Sequence, residues 1–198
     1  MAVTLAKRGS KVSLAKAAAD AGVTNPVNRI YVGLRWDPCR YDGGFSFDLD
    51  SSVFLCREDG KVRNENDFIF YNNLTAPGVQ HMGDERTGGT EGDDEQINIT
   101  LSELDPEITR IAFVVTIHDA DARGQNFGQV EHSGLRIMDA DSNIEFINYE
   151  LEEDSSTETA VVVGELYKRN GEWKFNAIGS GFSGGLTAIC HNFGIETE

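Results

Sequence analysis

Paired thiols, long apolar runs and basic charge are what this 198-residue chain has least of, and each shortage excludes something. Its three cysteines, Cys39, Cys56 and Cys190, are far apart and form no C-x-x-C pair, so neither a disulfide framework nor a thiolate zinc site is indicated. The chain reads as intracellular. The longest apolar run, "IAFVV", is far too short to span a bilayer, and the basic start "MAVTLAKRGSKVSLAKAAADAG" has no apolar h-region, so no signal peptide is expected. The four histidines, His81, His118, His132 and His191, show neither H-x-x-x-H nor H-E-x-x-H spacing. His118 in "VVTIHDAD" reads as a hydrogen-bonded residue at a strand end.

Only 17 Lys and Arg face 33 Asp and Glu, a formal charge of −16. Such a surface repels nucleic acid, anionic lipid and small anions, which leaves metal cations and basic partners as natural counterparts. The cations are also uneven. Residues 1–40 carry seven Lys or Arg against Asp20 and Asp37, a local +5 that leaves −21 on the other 158 residues. A basic edge on an acidic body can dock an acidic surface, or simply balance its own acidic neighbours.

What is abundant is alternating, β-branched sequence. About ten strands are expected, at 11–14, 28–36, 45–56, 67–71, 96–101, 110–119, 133–139, 144–151, 159–169 and 172–179. Asn170-Gly171 between the last two is a two-residue hairpin signal, because a type I′ turn needs positive φ at both positions. Helical signals are confined to "GGLTAICHNFG" near the C-terminus and a short turn at "LSELDPEI". The stretch "LAKAAADAG" (14–22) has helical propensity but little room before Asn25-Pro26, so no helix is placed there. With no linker and no repeat, the expectation is one domain over 1–198, an all-β antiparallel sandwich of two sheets with a short C-terminal helix.

Residues 72–95 are expected to hold no periodic segment, an unusual length for a loop in a compact domain. Within it, "GDERTGGTEGDDE" (83–95) places six carboxylates, one arginine and four glycines in thirteen positions. Two unit charges about 4 Å apart repel by roughly 4 kcal/mol at an effective dielectric of 20, so these acids spread the chain apart unless a cation joins them. Calcium accepts 6 to 8 oxygens in irregular geometry, which a Gly-rich acidic segment can supply, whereas magnesium demands a stricter octahedron. A solvated acidic loop is the plainer alternative. In "FDLDSS", Asp48, Asp50 and Ser52 alternate and so share one strand face, with Phe47, Leu49 and Val53 turned to the core. Asn72 and Asn73 of "YNNL" can ligate through their amide oxygens or form a turn.

Other motifs are weaker. "DADARGQNFGQV" (119–130) and "DADSNIEFINYE" (139–150) fail the EF-hand pattern, the first at Arg123 and Val130 and the second at its sixth position, and both read as turns. "GSGFSGGL" (179–186) lacks the rest of a dinucleotide fingerprint and reads as a flexible lead into the final helix. No Ser, His and Asp trio is evident, so no catalytic residue is assigned. An enzyme reading rests on the carboxylates alone, as metal ligands of a phosphoester hydrolase.

The ordered set "VGLRWD", "SFDLDSS", "DFIFYNNL", "EGDDE", "HDADARGQNFGQV" and "STETAVVVGELYKRNGEWKFNAIGSGFSGGL" resembles the TerD family of tellurium-resistance and stress-response proteins over nearly the whole chain. The resemblance implies a calcium-binding β-sandwich without demonstrated catalysis, cytoplasmic, with some members at the inner face of the membrane and protein partners in a stress-resistance complex. It implies one or two calcium ions held by Asp48, Asp50, Asn72, Asn73, Asp84, Glu91, Asp93, Asp94 and Glu95. The chain departs from the family at Glu85, Arg86 and Gly89-Thr90, which bears on the second ion. Direct capture of tellurite is not expected, since an oxyanion gains nothing from a surface of −16.

Overall fold

The computed structural model describes residues 1–5, 7–38, 47–83, 93–151 and 157–197. Among these are thirteen strands: β1 (Val3–Leu5), β2 (Lys11–Ser13), β3 (Arg29–Pro38), β4 (Leu49–Cys56), β5 (Phe68–Ile69), β6 (Thr75–Ala76), β7 (Val79–His81), β8 (Glu95–Thr100), β9 (Arg110–Ile117), β10 (Val130–Asp139), β11 (Ile144–Glu150), β12 (Ala160–Arg169) and β13 (Glu172–Phe182). Three helices accompany them, α1 (Leu14–Ala21), α2 (Ala120–Arg123) and α3 (Gly185–Phe193). A seven-stranded sheet runs β1-β11-β10-β3-β8-β7-β6 and a six-stranded sheet β2-β13-β12-β9-β4-β5. The strand pairs are antiparallel except β1 with β11.

Alternation builds the core. Val32, Leu34 and Trp36 of β3, Ile97 and Ile99 of β8, Leu135 and Ile137 of β10 face Leu49, Val53 and Leu55 of β4, Ile111, Phe113 and Val115 of β9 and Phe175 of β13 in one buried cluster. The β4–β9 side of the second sheet is covered again on its outer face. Phe54, Cys56, Ala112 and Val114 pack there against Ile189, Cys190 and Phe193 of α3. Phe193, Phe54, Phe68 and Phe70 stack successively at centroid distances of 4.3, 4.5 and 4.3 Å. This is why β4 is buried continuously from Ser51 to Cys56, and why polar residues at its start are hemmed in on both faces.

All ten expected strands are present, and three more were not anticipated. β1 is three residues long and borrows its partner from β11. β6 and β7 lie inside the stretch expected to lack regular structure. They form a hairpin across Pro77-Gly78 in the register Ala76↔Val79, with Gly78 at φ 74° as the third residue of such a turn demands. Two-residue strands carry no periodicity, so only pairing reveals them. The helical propensity of 14–21 also prevails over the short room before Pro26. Ser13 caps α1 by accepting from the Lys16 N–H at 3.2 Å, Gly22 closes it at φ 102°, and Leu14, Ala17 and Ala18 are buried at i, i+3 and i+4.

The lead into α3 is shorter than expected, because β13 continues through Phe182 and pairs with Ala160 there. The hairpin at Asn170-Gly171 has positive φ at both residues, 55° and 78°. Of the two rejected EF-hand stretches, 119–130 holds α2, which Asp119 (φ 52°) leads into and Gly124 (φ 65°) ends, and a 3-10 segment, while 139–150 is a turn, where Asp139 Oδ2 accepts from the Ser142 N–H and Oγ, followed by β11. No helix among the described residues is long and apolar enough to cross a membrane.

Candidate functional site

The start of β4 sits at the rim of the sandwich beside the end of β9. Leu49 faces the core, so Asp48 and Asp50 share the opposite face, as alternation requires. The Asp48 carbonyl accepts the His118 N–H at 2.8 Å. Its carboxylate Oδ1 is buried and has no hydrogen-bond partner among the described residues. Asp50 pairs in register with Thr116, and its Oδ2 lies 3.4 Å from His118 Nδ1, whose Nε2 is 3.5 Å from Asp119 Oδ2. Asp50 opens into a cleft of about 410 Å³ shared with Tyr71, His118, Asp121, Thr159 and the glycines that start α3.

Asn72 and Asn73 occupy the turn after β5. Phe70 and Asn73 exchange backbone hydrogen bonds at 3.0 and 2.9 Å, and the Asn73 amide donates to the Phe68 carbonyl at 2.7 Å. Asn73 is therefore a turn residue through its NH₂ group, while Asn72 is exposed.

The run Asp93-Asp94-Glu95 is split three ways. Asp93 lies on the outer face of the seven-stranded sheet, where Arg136 Nε donates to both carboxylate oxygens at 2.8 and 2.9 Å and Tyr31 Oη donates to Oδ2 at 2.5 Å. Burial and the neighbouring Asp93 charge push the Tyr31 phenol well above its ordinary value, and the hydrogen bond to Asp93 raises Arg136. Asp94 Oδ2 accepts the Trp36 N–H at 2.8 Å. Glu95 turns between the sheets, where its Oε2 accepts the Ser51 N–H of β4 at 2.7 Å.

A buried polar cluster grows from that last contact. His81 Nε2 is 2.9 Å from Ser51 Oγ and 3.4 Å from Glu95 Oε2, and the two charged-type side chains are each 1% exposed. His81 Nδ1 accepts the Gly83 N–H at 3.2 Å, which places the ring proton on Nε2, facing Ser51 and Glu95. Ser, His and acid meet here, yet both acid and hydroxyl address the same ring nitrogen and water has no access, so the cluster is a tie between sheets and not a nucleophile.

The structure thus brings the "FDLD" strand and the end of the acidic segment together through Ser51 and Glu95. Asp84 and Glu91 lie outside the described residues. Among the described residues no three His, Cys, Asp or Glu side chains converge as a ready metal cage. The orphaned Asp48 oxygen and its neighbour Asp50 fit a hard cation; Asp93 and Glu95, already bonded within the protein, fit it poorly. Sequence reasoning assigned no role to Ser51, His81, Tyr31, Gly33 or Arg136. Arg136 alone carried a signal, because an arginine between the buried Leu135 and Ile137 must face outward.

The TerD domain profile matches residues 1–193. General stress protein 16U of Bacillus subtilis (strain 168) is 52% identical over 199 residues, covering 99% of each chain. Tellurium resistance protein TerD of Serratia marcescens is 50% identical over 200 residues, covering 100% of each. Among solved structures, a homologue of telluride resistance protein (TerD) from Streptomyces coelicolor A3(2) superposes with a TM-score of 0.66 at 23% identity, over 83% of this chain and 95% of that one, a likeness of fold.

Proposed function

The chain belongs to the TerD family, and from that premise we propose that it is a cytoplasmic, calcium-binding stress-response protein that serves tellurium and chemical stress resistance as a calcium-dependent scaffold. The observation that carries the reading is Asp48: a carboxylate oxygen buried without a hydrogen-bond partner among the described residues, next to Asp50 on one strand face. A desolvated carboxylate oxygen without a donor is costly, and a cation relieves that cost. Asp48 and Asp50 would hold the ion with Asp84 and Glu91, and the amide oxygens of Asn72 and Asn73 are candidates because Tyr71 beside them lines the Asp50 cleft. When bound, calcium supplies charge neutralisation and oxygen coordination, not chemistry. The scaffold's partners are other proteins of stress resistance, at the inner membrane face or in the cytoplasm. A net charge of −16 argues against direct capture of tellurite or nucleic acid.

Linkage sets the test. A ligand bound only to the native state at 100 times its Kd stabilises the fold by about 2.7 kcal/mol. Chelator-treated protein should bind calcium in calorimetric titration in preference to magnesium and melt at higher temperature with it. Asp48→Asn and Asp50→Asn should each weaken binding at least tenfold. Variants that titrate like wild type would refute the assignment, and turnover of phosphoesters with magnesium or manganese would move the site to a hydrolase.

A further inference from the structure

We infer that Asp93-Asp94-Glu95 is the anchor of the acidic segment and lies outside its cation site, with Arg136 as the internal counter-charge that positions Asp93. The inference deepens the calcium reading and rests on it for its functional consequence.

Three observations carry it. First, both oxygens of Asp93 are already taken. Arg136 grips them through Nε at 2.8 and 2.9 Å and through Nη2 at 2.8 Å, and Tyr31 adds a hydrogen bond at 2.5 Å. The Asp93 side chain is 1% exposed, against 28% for Arg136. A divalent ion reaching Asp93 would have to displace or sit beside a guanidinium of like charge, whose remaining Nη1 leans on Glu145 at 3.5 Å. Second, the seat is shaped for this carboxylate. A Cβ on Gly33 of β3 would lie 2.1 Å from Asp93 Oδ2, so the absence of a side chain there is what lets Asp93 lie on the sheet. Third, the next two acids are bound to other elements. Asp94 donates its N–H to the Leu34 carbonyl at 2.8 Å and accepts the Trp36 N–H through Oδ2, carrying the β3–β8 pairing beyond the strand. Glu95 crosses to β4.

Three consecutive carboxylates therefore reach the outer sheet face, the β3 backbone and the opposite sheet. Arg136 balances the charge of Asp93, and the backbone N–H groups of Trp36 and Ser51 each hydrogen-bond one oxygen of Asp94 and Glu95. The other end of the segment, at Gly83, is held by His81, which also reaches Glu95. The role of Arg136 is that of a positioning residue: it touches no ion and fixes the frame on which the cation site is built.

The experiment compares melting in chelator, melting in calcium and calorimetric stoichiometry for wild type, Asp93→Asn, Arg136→Gln, Arg136→Lys and Tyr31→Phe. Breaking a buried pair from one side should lower Tm in chelator by about 5 °C or more for Asp93→Asn and Arg136→Gln, with calcium stoichiometry unchanged and affinity reduced severalfold. Arg136→Lys should recover part of both, and Tyr31→Phe, which keeps the guanidinium, should fall between. If Asp93→Asn instead left the chelator Tm unchanged and removed a bound ion, Asp93 would be a ligand and the inference would be overturned. A wild type indifferent to calcium would sink the calcium reading alone, since the chelator comparison still tests the anchor. Should Arg136→Gln fail to fold, Tyr31→Phe and Arg136→Lys give the same contrast.

Discussion

Ser51 Oγ on β4 and His81 Nε2 on β7 lie 2.9 Å apart between the two sheets, each residue no more than 2% exposed. A polar contact at that depth is sustained by completeness, since every missing partner leaves a desolvated group behind. Glu95 completes it by accepting the Ser51 N–H, and Gly83 by donating to the other ring nitrogen. The cluster ties the strand carrying Asp48 and Asp50 to both ends of the acidic segment.

Glu95→Ala should destabilise the protein by about 2–4 kcal/mol, because the buried Ser51 N–H and the His81 ring lose their acceptor together. Glu95→Gln retains an accepting oxygen of the same reach and should cost about half as much or less. Urea unfolding of both measures the difference, and equal losses would show that the hydrogen bond to Ser51 contributes little.

Gly33→Ala should be harmful although the residue is not in a left-handed conformation. The new methyl overlaps the Asp93 carboxylate, with 2.5 Å or less to each of its outer atoms. Either the carboxylate leaves Arg136 or the strand shifts, at a cost of about 1–3 kcal/mol. The double variant Gly33→Ala/Asp93→Ala should be less than additive, which a double-mutant cycle in urea reads directly.

Alkaline stability should be limited by two acids, the buried Cys56 and the half-buried Tyr31. Burial pushes the Cys56 thiol from 9.0 up to about 12, and burial with Asp93 raises Tyr31 above its ordinary value of 10.0. Both groups hold their proton more tightly folded than unfolded. Their contribution is therefore fully present below the unfolded values and falls as pH rises from about 9 through the folded values. Unfolding free energy measured from pH 8 to 11 should decline in wild type and decline less in Cys56→Ala. Cys56 should also resist thiol reagents at neutral pH until the protein is unfolded.

Asp67 should prove a larger stability determinant than the exposed ion pairs. It is buried in a short 3-10 turn, accepts the Arg63 N–H at 3.1 Å and takes the guanidinium through Nε and Nη2 at 2.8 Å each. Arg63 also pairs with the more exposed Asp105, whose carboxyl is held below its usual range first by the Glu107 N–H and then by this bond. Asp67→Ala should cost about 3–5 kcal/mol, as expected when one side of a buried pair is removed. Asp141→Ala, which frees the exposed Arg29, should cost under about 1 kcal/mol. Thermal melts of the two variants check the ranking.

Ten strands were legible because alternation of the type "RIAFVVTI" needs only its own residues to declare a buried face, and Asn170-Gly171 needs only the φ preference of its turn. β6 and β7 were not, since two or three residues have no period and exist through pairing, β7 with β8 and β6 with β7. The pair Asp48 and Asp50 was legible as one strand face. The fates of Asp93, Asp94 and Glu95 were not: side by side in "EGDDE" they look equivalent, and the difference lies in Arg136, Trp36 and Ser51, which stand 43 to 58 residues away along the chain.

By itself, then, the sequence determined the β-sandwich class, the acidic character and the place where negative charge concentrates, since these are properties of composition and short-range periodicity. Only the tertiary structure decided which carboxylates remain available. Charge is counted along the chain, but it is neutralised through space, by whichever donors the folding of distant strands brings within about 3 Å.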